Sequence, residues 1–374
     1  MKKTTLYNLI ATFFITMGVS SCADFLDQEN PAYDAEGFYA TEAGLKEGVT
    51  GIYPLLYFDM NWAVPACIVL DHYTAYGLEQ DENSSIGAGG TLNPDNGKIQ
   101  AFWTGEYQIA ARANSVIYGA KDAVAGMSDA ARQYYAEARV LRAYAYYNLI
   151  SAFGDVPFFT APVTIDEYKV GRTPKGEIID FLIKDLNDAA DYLPWTATQR
   201  GRVDKAVAYG LIARMGLFGG SFNVENKATE YFRIAADAAN KVIGKRKLAP
   251  KFSDLFNLTG QAKSEVRDEL LWELMYSTNG TKKLHTVGYG HSSRNYASSV
   301  RFPSSLIVDT YECIDGKRID ESPLYDPKQP TLNRDPRFNA TLAGHGDTIN
   351  YTITDGNNPQ KLILNIYDDK TRFY

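Results

Sequence analysis

Residues 134–158 form the run YYAEARVLRAYAYYNLISAFGDVPF. It belongs to the strongest helix in the chain, expected from Ser128 to Phe153. Ser128 offers a side-chain oxygen to the first free amides, and Asp129 sets negative charge at the positive end of the helix dipole. Gly154, followed by Pro157, stops the helix. Toward the N-terminus, Leu45, Val49, Ile52 and Leu56 recur three to four residues apart and predict a helix begun near Thr41. A second helix runs from about Ala101 to Ala120, with Trp103, Tyr107, Ala110, Asn114 and Ile117 on related faces. Toward the C-terminus, Thr173 as cap with Pro174 at the first helical position opens a fourth helix that ends at Pro194. Asp204 to Phe218 and Asn226 to Ile243 give a fifth and a sixth.

The last two helices are studded with small residues, among them Ala206, Ala208, Gly210, Ala213, Ala235 and Ala238. Small side chains let neighbouring helices approach closely, as in stacked helix-turn-helix repeats. No strict 34-residue period is present, so the pattern is that of a degenerate tetratricopeptide-like stack. After Lys247 the pattern changes to long polar loops with short apolar runs. Of these, Glu269–Met275, with Trp272, predicts a strand or a brief helix.

The 374 residues carry 38 Lys+Arg against 45 Asp+Glu, a formal net charge of −7. An acidic chain without a long basic run is a poor holder of phosphate backbones, which argues against nucleic acid as a partner. The composition departs from average in its aromatics, with 26 Tyr, 18 Phe and 4 Trp. Tyr joins a flat apolar face to a hydroxyl, which suits buried helix contacts and ligand stacking alike. Four scattered histidines (His72, His285, His291, His345), with no CxxC or HExxH, leave no zinc-type site. The acidic loop residues lack the spacing of a calcium loop. No metal and no cofactor are expected.

Lys2 and Lys3 precede an apolar stretch from Leu6 to Val19, the length of a signal-peptide core and too short to span a bilayer. It ends in Val19-Ser20-Ser21-Cys22, which resembles the lipobox of bacterial lipoproteins. That resemblance implies removal of residues 1–21 and a lipid anchor on Cys22. Asp24, Asp27 and Glu29 follow closely, an acidic start associated in Bacteroidetes-type lipoproteins with display on the cell surface. Cys67 and Cys313 are expected as two isolated buried thiols, although an oxidising compartment would permit them to pair.

Six blocks in order resemble the SusD/RagB family of surface glycan-binding lipoproteins. They are Cys22-Ala-Asp-Phe-Leu-Asp27, Trp103 with Tyr107 and Asn114, the 134–158 helix, GRVDKAVAYGLIARMGLF at 201–218, PSSLIVDTYECIDGKRID at 303–320, and NRDPRF at 333–338. The resemblance implies a mainly α fold, a tetratricopeptide-like right-handed helical stack with long loop-rich ligand-binding insertions. Residues 22–374 would form it, helical to about 250 and loop-rich beyond. It further implies a non-catalytic protein at the outer membrane, handing a glycan to a SusC-like TonB-dependent transporter. Family members continue past the Arg-Asp-Pro-Arg block into further C-terminal helices, so a chain ending at Tyr374 is expected to be C-terminally truncated. The charged residues Glu137, Arg139, Arg142, Asp155 and Arg334–Arg337 are assigned to architecture.

In the family the ligand platform comes from the loop before the Trp-containing helix and a later loop before the Pro-Ser block. Here these are Trp62 to Asn96 and Thr278 to Phe302. Tyr73 and Tyr76 are the expected stacking platforms and Asp71 a hydroxyl acceptor, faced by Tyr289, Arg294 and Tyr296. The Trp-x-Trp pair of the starch-binding archetype is absent from the first loop, which weakens the case for starch. Two other classes stay open at this stage. One is a lipid-anchored helical-repeat module that docks proteins. The other, more distant, is a glycoside hydrolase, which needs two carboxylates flanking one sugar bond.

Overall fold

In a computed structural model, residues 35–61, 64–66, 70, 74–79, 95–164, 166–275, 301–342, 348–352 and 359–363 are described. The N-terminal leader, with Cys22, lies outside them, as does Cys67; Cys313 is a buried free thiol. The protein is mainly α. A short helix, α1 (Ala35–Tyr39), precedes α2 (Glu42–Thr50), α3 (Gly97–Ala120), α4 (Asp129–Phe153), α5 (Lys175–Ala190), α6 (Lys205–Ser221) and α7 (Ala228–Val242). Shorter helices follow: α8 (Leu258–Gln261), α9 (Ser264–Arg267), α10 (Ser305–Thr310) and α11 (Pro336–Thr341). The described strands form three antiparallel pairs: β1 (Asp59–Asn61) with β2 (Val64–Pro65), β3 (Gly77–Glu79) with β4 (Arg301–Pro303), and β5 (Thr348–Thr352) with β6 (Pro359–Ile363).

Helix starts are set by side chains that take up free amides. Thr41 Oγ1 accepts from Gly44 N, Ser128 Oγ from Ala131 N, and Asp204 Oδ1 from Val207 N. Helix α3 begins earlier than the Ala101 of its sequence pattern, because Asn96 Oδ1 accepts from the amides of Lys98 and Ile99. At the other end of α4, Gly154 takes φ +74°, open to glycine at no steric cost.

Three expectations are corrected. Thr173 does not cap α5: Pro174 is the capping residue, and Asp155 Oδ1 accepts from Lys175 N at 2.9 Å instead. Thr173 N is spent on Val156 O. Helix α7 starts at Ala228 and not at Asn226, because Asn226 sits at φ +60° in the turn. Glu269–Met275 is neither strand nor helix. It lies as an irregular segment whose Leu271, Trp272 and Leu274 pack on the core, with Trp272 Nε1 donating to Gly201 O at 3.0 Å.

Consecutive long helices pack against each other, and α4 sits at the centre, touching α2, α3, α5 and α6. One continuous core runs through them, from Leu45 and Val49 through Ile109, Leu141, Leu149 and Leu182 to Ile212 and Tyr231. Helix α6 approaches α7 closely. A Cβ built on Gly216 would lie 2.7 Å from Tyr231 O and 2.8 Å from Ala235 N, so only glycine permits this spacing.

Several charged groups buried in the stack are held by partners from other segments, as buried charge requires. Asp185 on α5 receives Arg139 Nε and Arg142 Nη2 from α4, each at 2.7 Å. Arg142 also reaches Asn114 Oδ1 on α3. Glu137 is fully buried and accepts from Tyr53 Oη at 2.7 Å and from Arg202 Nε at 2.9 Å. Arg334 donates to the carbonyls of Val308, Tyr311 and Pro330, and Arg337 pairs with Asp335 at 2.7 Å. These residues serve architecture, as expected. The sequence placed Glu137 beside Arg139 and Arg142, whereas the partners come from other segments.

Candidate functional site

The two loop regions expected to carry ligand are joined by a short strand pair. β3 lies within the first and β4 closes the second, with Gly77 opposite Pro303, Leu78 opposite Phe302 and Glu79 opposite Arg301. The strands are only three residues long, and a pair this short is marginal alone. Ser304 adds two bonds beyond it. Its amide donates to Tyr76 O at 2.9 Å, and its hydroxyl to Ala75 O at 2.6 Å. Ser304 occupies the capping position of α10 but makes no side-chain cap there, because its Oγ–H is turned to Ala75. The Pro-Ser block thus acts as a clasp that holds the first loop against the second.

Tyr76 sits at this clasp and is 46% exposed. Its amide donates to Thr74 Oγ1 at 3.2 Å, so the backbone is held while the side chain stays exposed. Of the expected ligand residues it alone is described. Asp71, Tyr73, Tyr289, Arg294 and Tyr296 lie outside the described residues.

Sequence reasoning overlooked a second feature, a cleft of about 590 Å³ between the outer face of α3 and the segment that follows α4. Trp103, Tyr107, Phe159 and Tyr168 supply its rings, and Thr104 and Gln108 part of its rim. Trp103 and Tyr107 stand 4.8 Å apart, and Phe159 meets Tyr168 edge-on at 5.9 Å. Its walls are pinned. Tyr107 Oη donates to Pro157 O at 2.7 Å, Asn114 Nδ2 to Phe159 O at 2.8 Å, and Phe159 N to Tyr146 Oη at 2.8 Å. Burial pushes the Tyr107 phenol well up and that of Tyr146 up to about 12, so both stay neutral hydroxyls. The available signal was the pair Trp103 and Tyr107 on one helix face.

A smaller cleft of about 280 Å³ lies between 196–204 and 264–273 and is ionic. Arg200 binds Glu273 through two bonds, and Arg246 pairs with Asp204 and Asp268. Its charges are mostly spent on one another. Elsewhere, Glu106 on α3 is 1% exposed and accepts from Asn148 Nδ2 at 2.8 Å, while no donor among the described residues reaches its Oε2. Burial pushes its carboxyl up to about 8, against the opposing bond from Asn148. Among the described residues no three His, Cys, Asp or Glu side chains gather as a metal site. Nor is any described helix long and apolar enough to cross a membrane.

Residues 24–217 match the SusD-like family model described as "Starch-binding associating with outer membrane". The chain is 27% identical over 308 residues to SusD-like protein P2 of Formosa agariphila, covering 78% of this chain and 56% of that protein. It is 31% identical over 179 residues to the starch-binding protein SusD of Bacteroides thetaiotaomicron, covering 46% and 30% of the two chains. The fold is similar to that of a SusD-like carbohydrate-binding protein from Bacteroides fragilis, with a TM-score of 0.67 at 22% identity over 81% of this chain and 60% of that one. A second SusD-like protein of that species matches with a TM-score of 0.68 at 16% identity, over 88% and 65%. The chain spans about half the length of curated SusD-like relatives that it matches. With its helical stack, its clasped loops and a family model covering more than half of its length, the chain belongs to the SusD-like family.

Proposed function

We propose that this protein is a lipid-anchored protein of the outer membrane, displayed at the cell surface, which binds a glycan without cleaving it and passes it to a SusC-like TonB-dependent transporter. The observation that carries the reading is the clasp. Ala75 in the first loop and Ser304 just past the second, 229 residues apart, are bonded in a chain whose family model is described as starch-binding. Sugar rings present C–H faces that stack on aromatics and hydroxyls that need amide, carboxylate or guanidinium partners. Tyr73 and Tyr76 would supply the stacking faces and Asp71 an acceptor, with Tyr289, Arg294 and Tyr296 facing them. Cys22 would carry the anchor, holding the site close to the transporter.

Calorimetric titration of the full chain, kept in mild detergent, against a panel of plant and host oligosaccharides tests the reading. Binding of one glycan class, weakened about tenfold or more by Tyr73→Ala with Tyr76→Ala, is the expected result. A folded protein that binds none of them would shift the role to docking at the transporter. Release of reducing sugar from any of them would point to a hydrolase. Incorporation of a labelled fatty acid, abolished by Cys22→Ser, tests the anchor separately.

A further inference from the structure

We propose that the cleft between α3 and residues 157–168 is a second carbohydrate subsite, selective for uncharged sugars. The inference rests on the glycan-binding reading and deepens it by naming a further site and the class of sugar it takes.

Two properties set this cleft apart from a packing defect. The first is its chemistry. The described residues that line it are aromatic, aliphatic, hydroxyl or amide, and none carries a charge, although 22% of the whole chain is charged. A site for an acidic sugar, a phosphate or a charged peptide would need at least one opposite charge at its wall. An uncharged pyranose needs what is present here, namely ring faces for its C–H surface and neutral donors and acceptors for its hydroxyls. Trp103 and Tyr168 supply faces. Thr104 and Gln108 are exposed on α3, and neither side chain has an internal hydrogen-bond partner among the described residues.

The second property is preorganisation. The polar groups at the back of the cleft are consumed in holding its shape. Tyr107 Oη is bonded to Pro157 O, and Asn114 Nδ2 to Phe159 O, with Asn114 Oδ1 taken by Arg142. Tyr146 Oη donates to Phe159 O at 3.1 Å while accepting from Phe159 N. A ligand therefore meets walls already fixed and rim groups still free, which lowers the ordering cost of binding. The volume of about 590 Å³ lies within the range of ligand pockets and suits a short oligosaccharide segment. None of the lining residues belongs to 62–96 or 278–302, so this site and the clasped loops can be varied independently.

The test titrates the full chain with maltohexaose, cellohexaose and laminarihexaose as neutral probes and with a hexagalacturonate as the acidic one. Ala111→Arg fills the cleft from an exposed position on α3, and arginine is a good helix former, so the fold should persist. Tyr168→Ala removes an exposed ring and serves as the second variant. Circular dichroism and a thermal melt establish folding for each. The expected result is that a neutral hexaose binds, and that both cleft variants weaken it about tenfold or remove one of two binding events. Tyr73→Ala with Tyr76→Ala should leave the cleft event in place. Neutral binding that both cleft variants leave unchanged overturns the subsite but not the glycan-binding reading. Hexagalacturonate lost in the cleft variants while neutral probes are unaffected overturns the selectivity. Folded protein silent to all four probes overturns both proposals.

Discussion

Arg142 donates to Asp185 at 2.7 Å across the α4–α5 interface, with its guanidinium side chain only 3% exposed. Arg139 donates to the other carboxylate oxygen, also at 2.7 Å. One acid therefore ties two arginines of the central helix to its neighbour. Removing the acid leaves Arg142 buried among Asn114 Oδ1, Thr160 O and the Phe181 ring, with no carboxylate among its described partners. Asp185→Ala should cost about 3–5 kcal/mol, since an orphaned buried charge is worse than no charge. Arg142→Met combined with Asp185→Leu should recover most of that loss. Urea unfolding of the single and double variants decides between a pair that stabilises and one that merely avoids a penalty.

Glu106 makes stability depend on pH in a direction that can be worked out. Its carboxyl is raised from 4.5 to about 8 in the folded protein, so the folded state holds a proton that the unfolded state has released. Stability from this group is then complete below pH 4.5 and is lost as pH rises to about 8, at roughly 1.4 kcal/mol per unit. Glu106→Gln keeps a carbonyl for Asn148 and cannot ionise. The variant should gain stability over the parent at pH 8 and differ little at pH 5, as read by chemical denaturation at both values. Equal pH slopes in parent and variant would place the ionisation elsewhere.

Much of the helical stack is legible because its signals are local. Ser128 and Gly154 bound α4 through contacts within four residues, and Asp204 opens α6 in the same way. The start of α5 was misread because its amide at Lys175 is taken by Asp155, twenty residues upstream, and no local rule weighs that against Thr173. The 269–275 run has strand-like residues but meets side chains and the Gly201 carbonyl, not a ladder partner, among the described residues. The site shows the same division. Tyr76 is legible as an aromatic in a polar loop, but the Ser304 clasp spans 229 residues. The cleft was hidden because Trp103 and Phe159 meet only through the packing of α3 on α4.

Gly216 tests how tightly the stack depends on small residues. Alanine is intrinsically the better helix former by about 1 kcal/mol. Here its Cβ would press on backbone atoms, Tyr231 O and Ala235 N, which cannot rotate away. The helices must separate, and overpacking of this kind costs about 1–3 kcal/mol. Gly216→Ala is therefore expected to lower the denaturation midpoint despite its propensity, and Gly216→Val to lower it further. A midpoint that rises with Gly216→Ala would mean that α6 and α7 part easily.

Ser304 links the fold to the proposed site. Its hydroxyl bond to Ala75 O and its amide bond to Tyr76 O extend a ladder of only three residue pairs. Ser304→Ala removes the first and keeps the second, a loss of about 1 kcal/mol confined to the clasp. Local opening should rise by the corresponding five- to tenfold, roughly, while global unfolding hardly moves, because opening free energies differ between regions of one protein. Hydrogen exchange at residues 74–79, 301 and 302 should quicken in the variant, with exchange in α4 unchanged. If the loops must be held together to present Tyr76, glycan affinity should fall with the clasp. Affinity that survives faster exchange at 74–79 would show that ligand binding needs the aromatic ring but not its tether.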